Sequence, residues 1–196
     1  MFYIRTLYFY CFSSLKSLKV NFKIGVVQGP SKQCIVVGLG QNSASAILQS
    51  FEIVDLRSPP STQTCSVPPT FPRSALRAII GSDSTGSLFV GGGRPTTPPY
   101  SSYNNQCYFL NGGSWIENPD IKESRYFAGN SMVTLSNGSQ YQFVSGGLSI
   151  YPNGTTLKLL SSSEILTPTG WVFFSVPLGV SIYSHAQVSY GNQVTI

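Results

Sequence analysis

The stretch YQFVSGG, Tyr141–Gly147, has the pattern of a half-buried strand that stops on two glycines. The same pattern stands at SLFVGGG, Ser87–Gly93, with Phe89 on Phe143 at an offset of 54 residues. An earlier copy, CIVVGLG, Cys34–Gly40, carries Leu39 in place of one glycine. Downstream, YGNQVTI, Tyr190–Ile196, matches NGSQYQF, Asn137–Phe143, at an offset of 53, and the glycine pair is due just beyond it. Other landmarks keep nearly the same step. Trp115 and Trp171 lie 56 apart, each followed by a proline, and TCSVPP (Thr64–Pro69) holds Cys65 at the corresponding place in the first unit. Arg73 and Arg125, 52 apart, each precede the next strand. Self-similarity at a period of about 50 residues is the mark of a repeat architecture.

Within the third unit the extended runs are GNSMVTL, SQYQFVSGG, SSSEIL and WVFFSVP, with an Asn137-Gly138 pair between the first two and a loop around YPNGTT. Asn-Gly between two such runs predicts a two-residue type I′ hairpin, in which both central residues take positive φ. Four strands per unit is the content of a propeller blade. No window carries a long amphipathic helix, and SASAILQSF (Ser43–Phe51) reads as loop.

On these residues the chain resembles the kelch repeat family. Its units carry a double glycine after the second strand, an aromatic before the third and a tryptophan in the fourth. The corresponding residues are Gly146, Gly147, Tyr151 and Trp171 in one unit, and Gly92, Gly93, Tyr103 and Trp115 in the one before. The resemblance implies an all-β fold, a partial kelch-type β-propeller of about three four-stranded blades plus an incomplete fourth. The units fall at about 19–72, 73–123, 124–180 and 181–196, after an apolar and basic segment at 1–18. Kelch propellers usually close with five to seven blades. An open array leaves strand edges and a blade face uncovered, so a fragment of a longer propeller is expected, or edges completed by another chain. A side chain at Gly146 or Gly147 is expected to clash where backbones crowd. Phe89, Val90, Phe143, Val144, Val172 and Phe174 are expected to fill the core between blades, and Arg73 and Arg125 to bind carbonyls or stack on an aromatic of their own repeat.

Composition narrows the function. The chain has 196 residues, 41% hydrophobic and 13% aromatic, enough to fill a core, and only 10% charged. Its net charge of +5 lies entirely in residues 1–32, which hold Arg5, Lys16, Lys19, Lys23 and Lys32 and no acid. The remainder is balanced, with no basic stripe for nucleic acid. The apolar run Leu7–Phe12 is too short to span a bilayer, and residues 1–18 read equally as signal-like, as a strand or as a misassigned start. Cys11, Cys34, Cys65 and Cys107 form no C-x-x-C pair, and with His185 as the single histidine no zinc site of ordinary spacing assembles. Asn137 and Asn153 open glycosylation sequons, each of which also reads as an Asn-Gly turn. The sequons, cysteines and apolar start lean towards an extracellular location.

The candidate chemistry is sparse. VGGGRP (Val90–Pro95) lacks the Lys-Ser/Thr of a P-loop, and the prolines after it forbid the helix such a loop must open. ENPDIKE (Glu117–Glu123) lacks calcium-loop spacing and reads as a solvated loop. HAQVSYG lacks a nucleophile elbow. The kelch resemblance admits galactose oxidase-like copper enzymes and sialic-acid isomerising enzymes, but copper radical sites need more histidine than this chain holds. No catalytic residue, metal or cofactor is assigned. The expectation is a non-enzymatic module binding a protein or a glycan through loops such as Arg94–Gln106 and Leu148–Lys158. The alternative is the incomplete scaffold of a kelch-propeller enzyme whose catalytic residues lie outside this chain.

Overall fold

Short runs of Val, Ile, Phe and Tyr cut by Gly and Pro form fifteen strands, and no helix, in a computed structural model that describes residues 23–27, 34–42, 44, 46–55, 67–82, 87–94, 105–150 and 156–196. Three of the sheets are antiparallel meanders. The first orders β1 (Lys23–Val27), β2 (Cys34–Gly38) and β3 (Phe51–Asp55). The second orders β4 (Ile79–Ser82), β5 (Leu88–Gly91), β6 (Cys107–Asn111) and β7 (Ser114–Asn118). The third orders β8 (Gly129–Thr134), β9 (Gln140–Ser145), β12 (Ser163–Thr167) and β13 (Gly170–Phe173). A ribbon of β10 (Leu148–Ile150) and β11 (Leu157–Leu159) is inserted between β9 and β12, where a plain loop was expected. A closing hairpin pairs β14 (Val188–Tyr190) with β15 (Gln193–Thr195).

The first strands of successive sheets lie side by side, β1 next to β4, β4 next to β8 and β8 next to β14. The glycine pairs follow second strands, β5 and β9, and the tryptophans stand in fourth strands, β7 and β13. β3 was not read from the sequence; FEIVD alternates, but the run before it lacks periodicity.

Core residues sit between sheets. Val90 packs with Leu39, Phe51 and Phe71 on one side of the second sheet; Phe89 packs with Ile79, Val144 and Trp171 on the other. Each tryptophan packs back onto the preceding unit. Trp171, 1% exposed, meets Phe89 at 5.6 Å between ring centroids, and Trp115 meets Phe51 at 5.5 Å and Phe71 edge-on at 5.1 Å. A buried aromatic of this size removes roughly 200 Å² from water, worth about 5 kcal/mol at about 25 cal/mol per Å². Val172 and Phe174 depart from expectation. They are 40% and 44% exposed, because the far side of the third sheet is met only by the β14–β15 hairpin among the described residues. Phe174 touches just the edge of Phe143, at 5.5 Å.

The hairpin at Asn137-Gly138 also differs from the type I′ expectation. Gly138 alone has positive φ, at 81°, and its N–H donates to Leu135 O at 2.9 Å. The loop is therefore three residues long, a type I turn closed by a left-handed glycine. The Asn137 side chain acts locally, its Oδ1 accepting from Ser139 N at 3.0 Å. A two-residue type I′ turn does occur at Gly112-Gly113, with φ of 56° and 82°.

Successive units are tied by non-glycine residues in the left-handed region. Arg77, Phe127 and Ser184 have φ of 62°, 58° and 53°, each shortly before a first strand. Phe127 N donates to Arg77 O at 3.2 Å, and Ser184 N to Phe127 O at 2.9 Å. The Arg77 guanidinium covers the Phe127 ring at 4.0 Å. Such a backbone costs of order 1–3 kcal/mol per residue and persists where its surroundings fix it.

Candidate functional site: a polar cavity between first strands

Both glycine pairs hold positive φ, 62° and 88° at Gly92 and Gly93, 58° and 101° at Gly146 and Gly147. Their amides reach the next unit, Gly93 N donating to Arg125 O at 3.0 Å and Gly147 N to Ile182 O at 2.7 Å. A Cβ on Gly146 would press into the Ile182 carbonyl oxygen, and one on Gly147 would stand 2.9 Å from Tyr126 O. These glycines therefore bring backbones together and present nothing to a ligand.

The two arginines reach equivalent targets. Arg73 Nη2 donates to Gly92 O and Gln106 O, at 3.0 and 3.1 Å, while Arg125 Nη1 donates to Gly146 O and Ser162 O, at 2.8 and 3.0 Å. Burial lowers the Arg73 pKa, against weaker opposing pulls from Tyr108 and Cys107. Arg125 is fully buried and forms an ion pair with Glu164 at 2.7 Å. Glu164, also fully buried, accepts the backbone N–H groups of Lys122 and Glu123 at 2.6 and 3.0 Å. The segment Glu117–Glu123 is thus not the solvated loop expected: Ile121 is fully buried, and Glu123 accepts from Lys158 Nζ at 2.5 Å and from Ser162 Oγ. Burial alone would raise the Glu123 pKa, but the bonds from Lys158 and Ser162 and the charge of Arg125 bring it below the usual carboxylate value.

Cys107 is fully buried, and burial pushes its thiol well above the usual range. Tyr103, Tyr151, Asn153, Cys65 and the segment 1–18 lie outside the described residues. Asn137 is exposed in its turn. Among the described residues no three His, Cys, Asp or Glu gather in a metal-holding group, and no helix is long and apolar enough to cross a membrane.

The chain also builds a site that sequence reasoning did not find. A cavity of about 460 Å³ straddles β8, walled by Ile80–Ser82 of β4 on one side and by Gln187–Ser189 on the other. Its size is that of a small-molecule pocket. Among the described residues every polar side chain in its wall is an amide or a hydroxyl, and none is charged. Gly81 makes room for it. A Cβ there would lie 2.7 Å from Asn130 Nδ2 and 3.0 Å from Gln142 Nε2. Asn130 Nδ2 donates across to Ile80 O at 3.1 Å. Gln187 is held by Ser131 Oγ and Phe143 O as acceptors, at 2.8 and 3.3 Å, and by the Ser145 hydroxyl at 2.5 Å. Ser145 Oγ also lies 3.2 Å from His185 Nε2, and Ser145 is fully buried, so the pair fixes this corner and offers no accessible nucleophile. A glycine within an inner strand was the one sequence signal for this site.

No protein-family model and no curated protein matches the chain. Among solved structures it is similar to that of YjhT, with a TM-score of 0.64 and 15% identity over 92% of this chain and 59% of that one. The likeness shows the fold alone: an all-β chain of antiparallel sheets with a propeller-like neighbour. The chain spans 59% of the length of its neighbour. The expectation of a non-enzymatic module is withdrawn, because the structural neighbour gives it no support. That expectation rested on the shortage of histidine and on the missing P-loop, calcium-loop spacing and nucleophile elbow, which bear on particular chemistries only.

Proposed function

We propose that the chain supplies three blades and the opening hairpin of a fourth to a kelch-type β-propeller enzyme, and that the cavity across β8 holds a small uncharged saccharide. The observation that carries the reading is the wall of amides and hydroxyls, with no charged side chain among its described residues, enclosing about 460 Å³. Such groups donate and accept at once, which suits a ligand covered in hydroxyls, whereas an anionic ligand would meet no counter-charge among the described residues there. In this reading the wall binds and orients. Proton transfer falls to titratable groups outside it, since amides and aliphatic hydroxyls are poor acids and bases at neutral pH. The glycine pairs, Trp115, Trp171 and Arg125 act as structural elements of the repeat. The uncovered apolar residues Val172 and Phe173, 40% and 56% exposed, support a further blade against the third sheet.

The test is magnetisation exchange between the anomers of unlabelled aldohexoses, followed by proton NMR with and without the protein. Faster interconversion, or saturation transfer from protein to sugar, is expected. Neither effect across a panel of neutral hexoses would refute the reading.

A further inference from the structure

Once the bonds made within the wall are subtracted, few of its polar groups are left for a ligand. Gln187 is spent at both ends, its Nε2 on Ser131 Oγ and Phe143 O and its Oε1 on the Ser145 hydroxyl. Ser189 gives its hydroxyl hydrogen to Met132 O, and Thr134 Oγ1 accepts from Gln140 Nε2 at 3.4 Å. Gln142, 3% exposed, is closed off against Gly81, and neither end of its amide is paired. Asn130 differs from all of these. It is half-buried in the wall, its Nδ2 is tied to Ile80 O at 3.1 Å, and its Oδ1 accepts from no group among the described residues. Unlike the amide atoms of Gln142, that oxygen is not sealed from solvent. The bond to Ile80 also fixes which end of the amide is left over, since a flip would set Oδ1 against a carbonyl oxygen.

The residue type points the same way. Asn130 stands three residues after Phe127, as Ile80 stands three after Arg77, the two left-handed residues that precede these first strands. Asparagine is depleted in strands and isoleucine is favoured. The third unit therefore gives up a strand former at a position where the second unit keeps one.

We propose that Asn130 is the specificity-determining residue of this cavity, its Oδ1 accepting a hydrogen bond from one hydroxyl of a bound pyranoside. This rests on the saccharide reading above and deepens it to a single donor on the ligand. An oxygen held in place by the other bond of its own amide is pre-organised, so little ordering is lost when a hydroxyl arrives. It rewards a hydroxyl and rejects groups that cannot donate: an ether, a fluorine, or a carboxylate, whose oxygens it would repel.

The test uses the full chain and paired probes, methyl pyranosides and the analogues in which one hydroxyl is replaced by fluorine, which accepts weakly and cannot donate. In ligand-observed NMR titration of the parent protein, one such replacement is expected to weaken binding at least about tenfold. In the near-isosteric variant Asn130→Leu that penalty is expected to vanish. Each comparison is between two ligands on one protein, so a change in stability from the lost Ile80 bond cancels. A parent protein indifferent to every fluorine would overturn the proposal, as would a penalty of the same size in the variant; both results would leave the saccharide reading standing. Should the variant fail to fold, the side-chain NH2 resonances of Asn130 in the isotopically labelled parent decide: they shift on sugar binding if Oδ1 takes the hydroxyl, and unmoved resonances overturn the proposal. Absence of binding by the parent protein to every pyranoside would bring down both readings.

Discussion

Replacing Gly146 by alanine should cost far more than the same change at Gly138, although both glycines follow a strand at positive φ, 58° and 81°. At Gly138 a Cβ meets nothing within 4 Å, so the cost is the left-handed backbone alone, about 1 kcal/mol. At Gly146 the same term applies, and the new Cβ also drives into Ile182 O and stands 3.0 Å from Ile182 Cγ2. Relieving that contact displaces the carbonyl that accepts from Gly147 N at 2.7 Å and disturbs the Gly146 N to Ser162 O bond of 3.0 Å. Each lost bond is worth about 1 kcal/mol net. The total is about 3 kcal/mol, or about 2 kcal/mol beyond the control. With a urea slope of about 2 kcal/mol/M the Gly146→Ala midpoint should fall about 1 M below that of Gly138→Ala. Equal midpoints would refute the claim that this glycine exists for a close backbone approach between units.

Arg125→Ala should destabilise by about 3–5 kcal/mol, since it strands the fully buried Glu164; the double variant with Glu164→Ala should cost clearly less than the sum of the single changes in the same urea assay. Glu123→Gln should matter only away from acid. The folded carboxyl titrates below its unfolded value, so its contribution is present above the unfolded pKa and disappears as pH falls through the folded one. Unfolding midpoints of parent and variant should differ at pH 6 and draw together as the pH is lowered through the carboxylate range. Cys107 should resist alkylation in the native protein at pH 8 and react after unfolding, as read by peptide mass mapping, because its buried thiol is held protonated.

What the sequence made legible is what repeats. Gly92-Gly93, Gly146-Gly147, Trp115 and Trp171 recur because each unit solves one packing problem in one way, and the spacing alone puts the glycines after second strands and the tryptophans on fourth strands. What it hid depends on contacts between units. Arg77, Phe127 and Ser184 adopt positive φ without the Gly or Asn that would announce it, because hydrogen bonds from neighbouring units hold them there. The turn at Asn137-Gly138 took a third residue, since Gly138 alone supplies the left-handed step. Val172 and Phe174 have core-like side chains but stand where only a hairpin faces them. The cavity was least visible. Gly81 comes from one sheet and Asn130 and Gln142 from the next, and none belongs to a motif. Only their meeting in space, with one amide left unpaired, marks them.

The most direct test of the account is the crystal structure of the protein soaked with a methyl pyranoside that it binds in solution. The account requires the sugar in the cavity across β8, against its amides and hydroxyls. A sugar bound instead at residues 94–106 or 148–158, with the cavity empty, would contradict it.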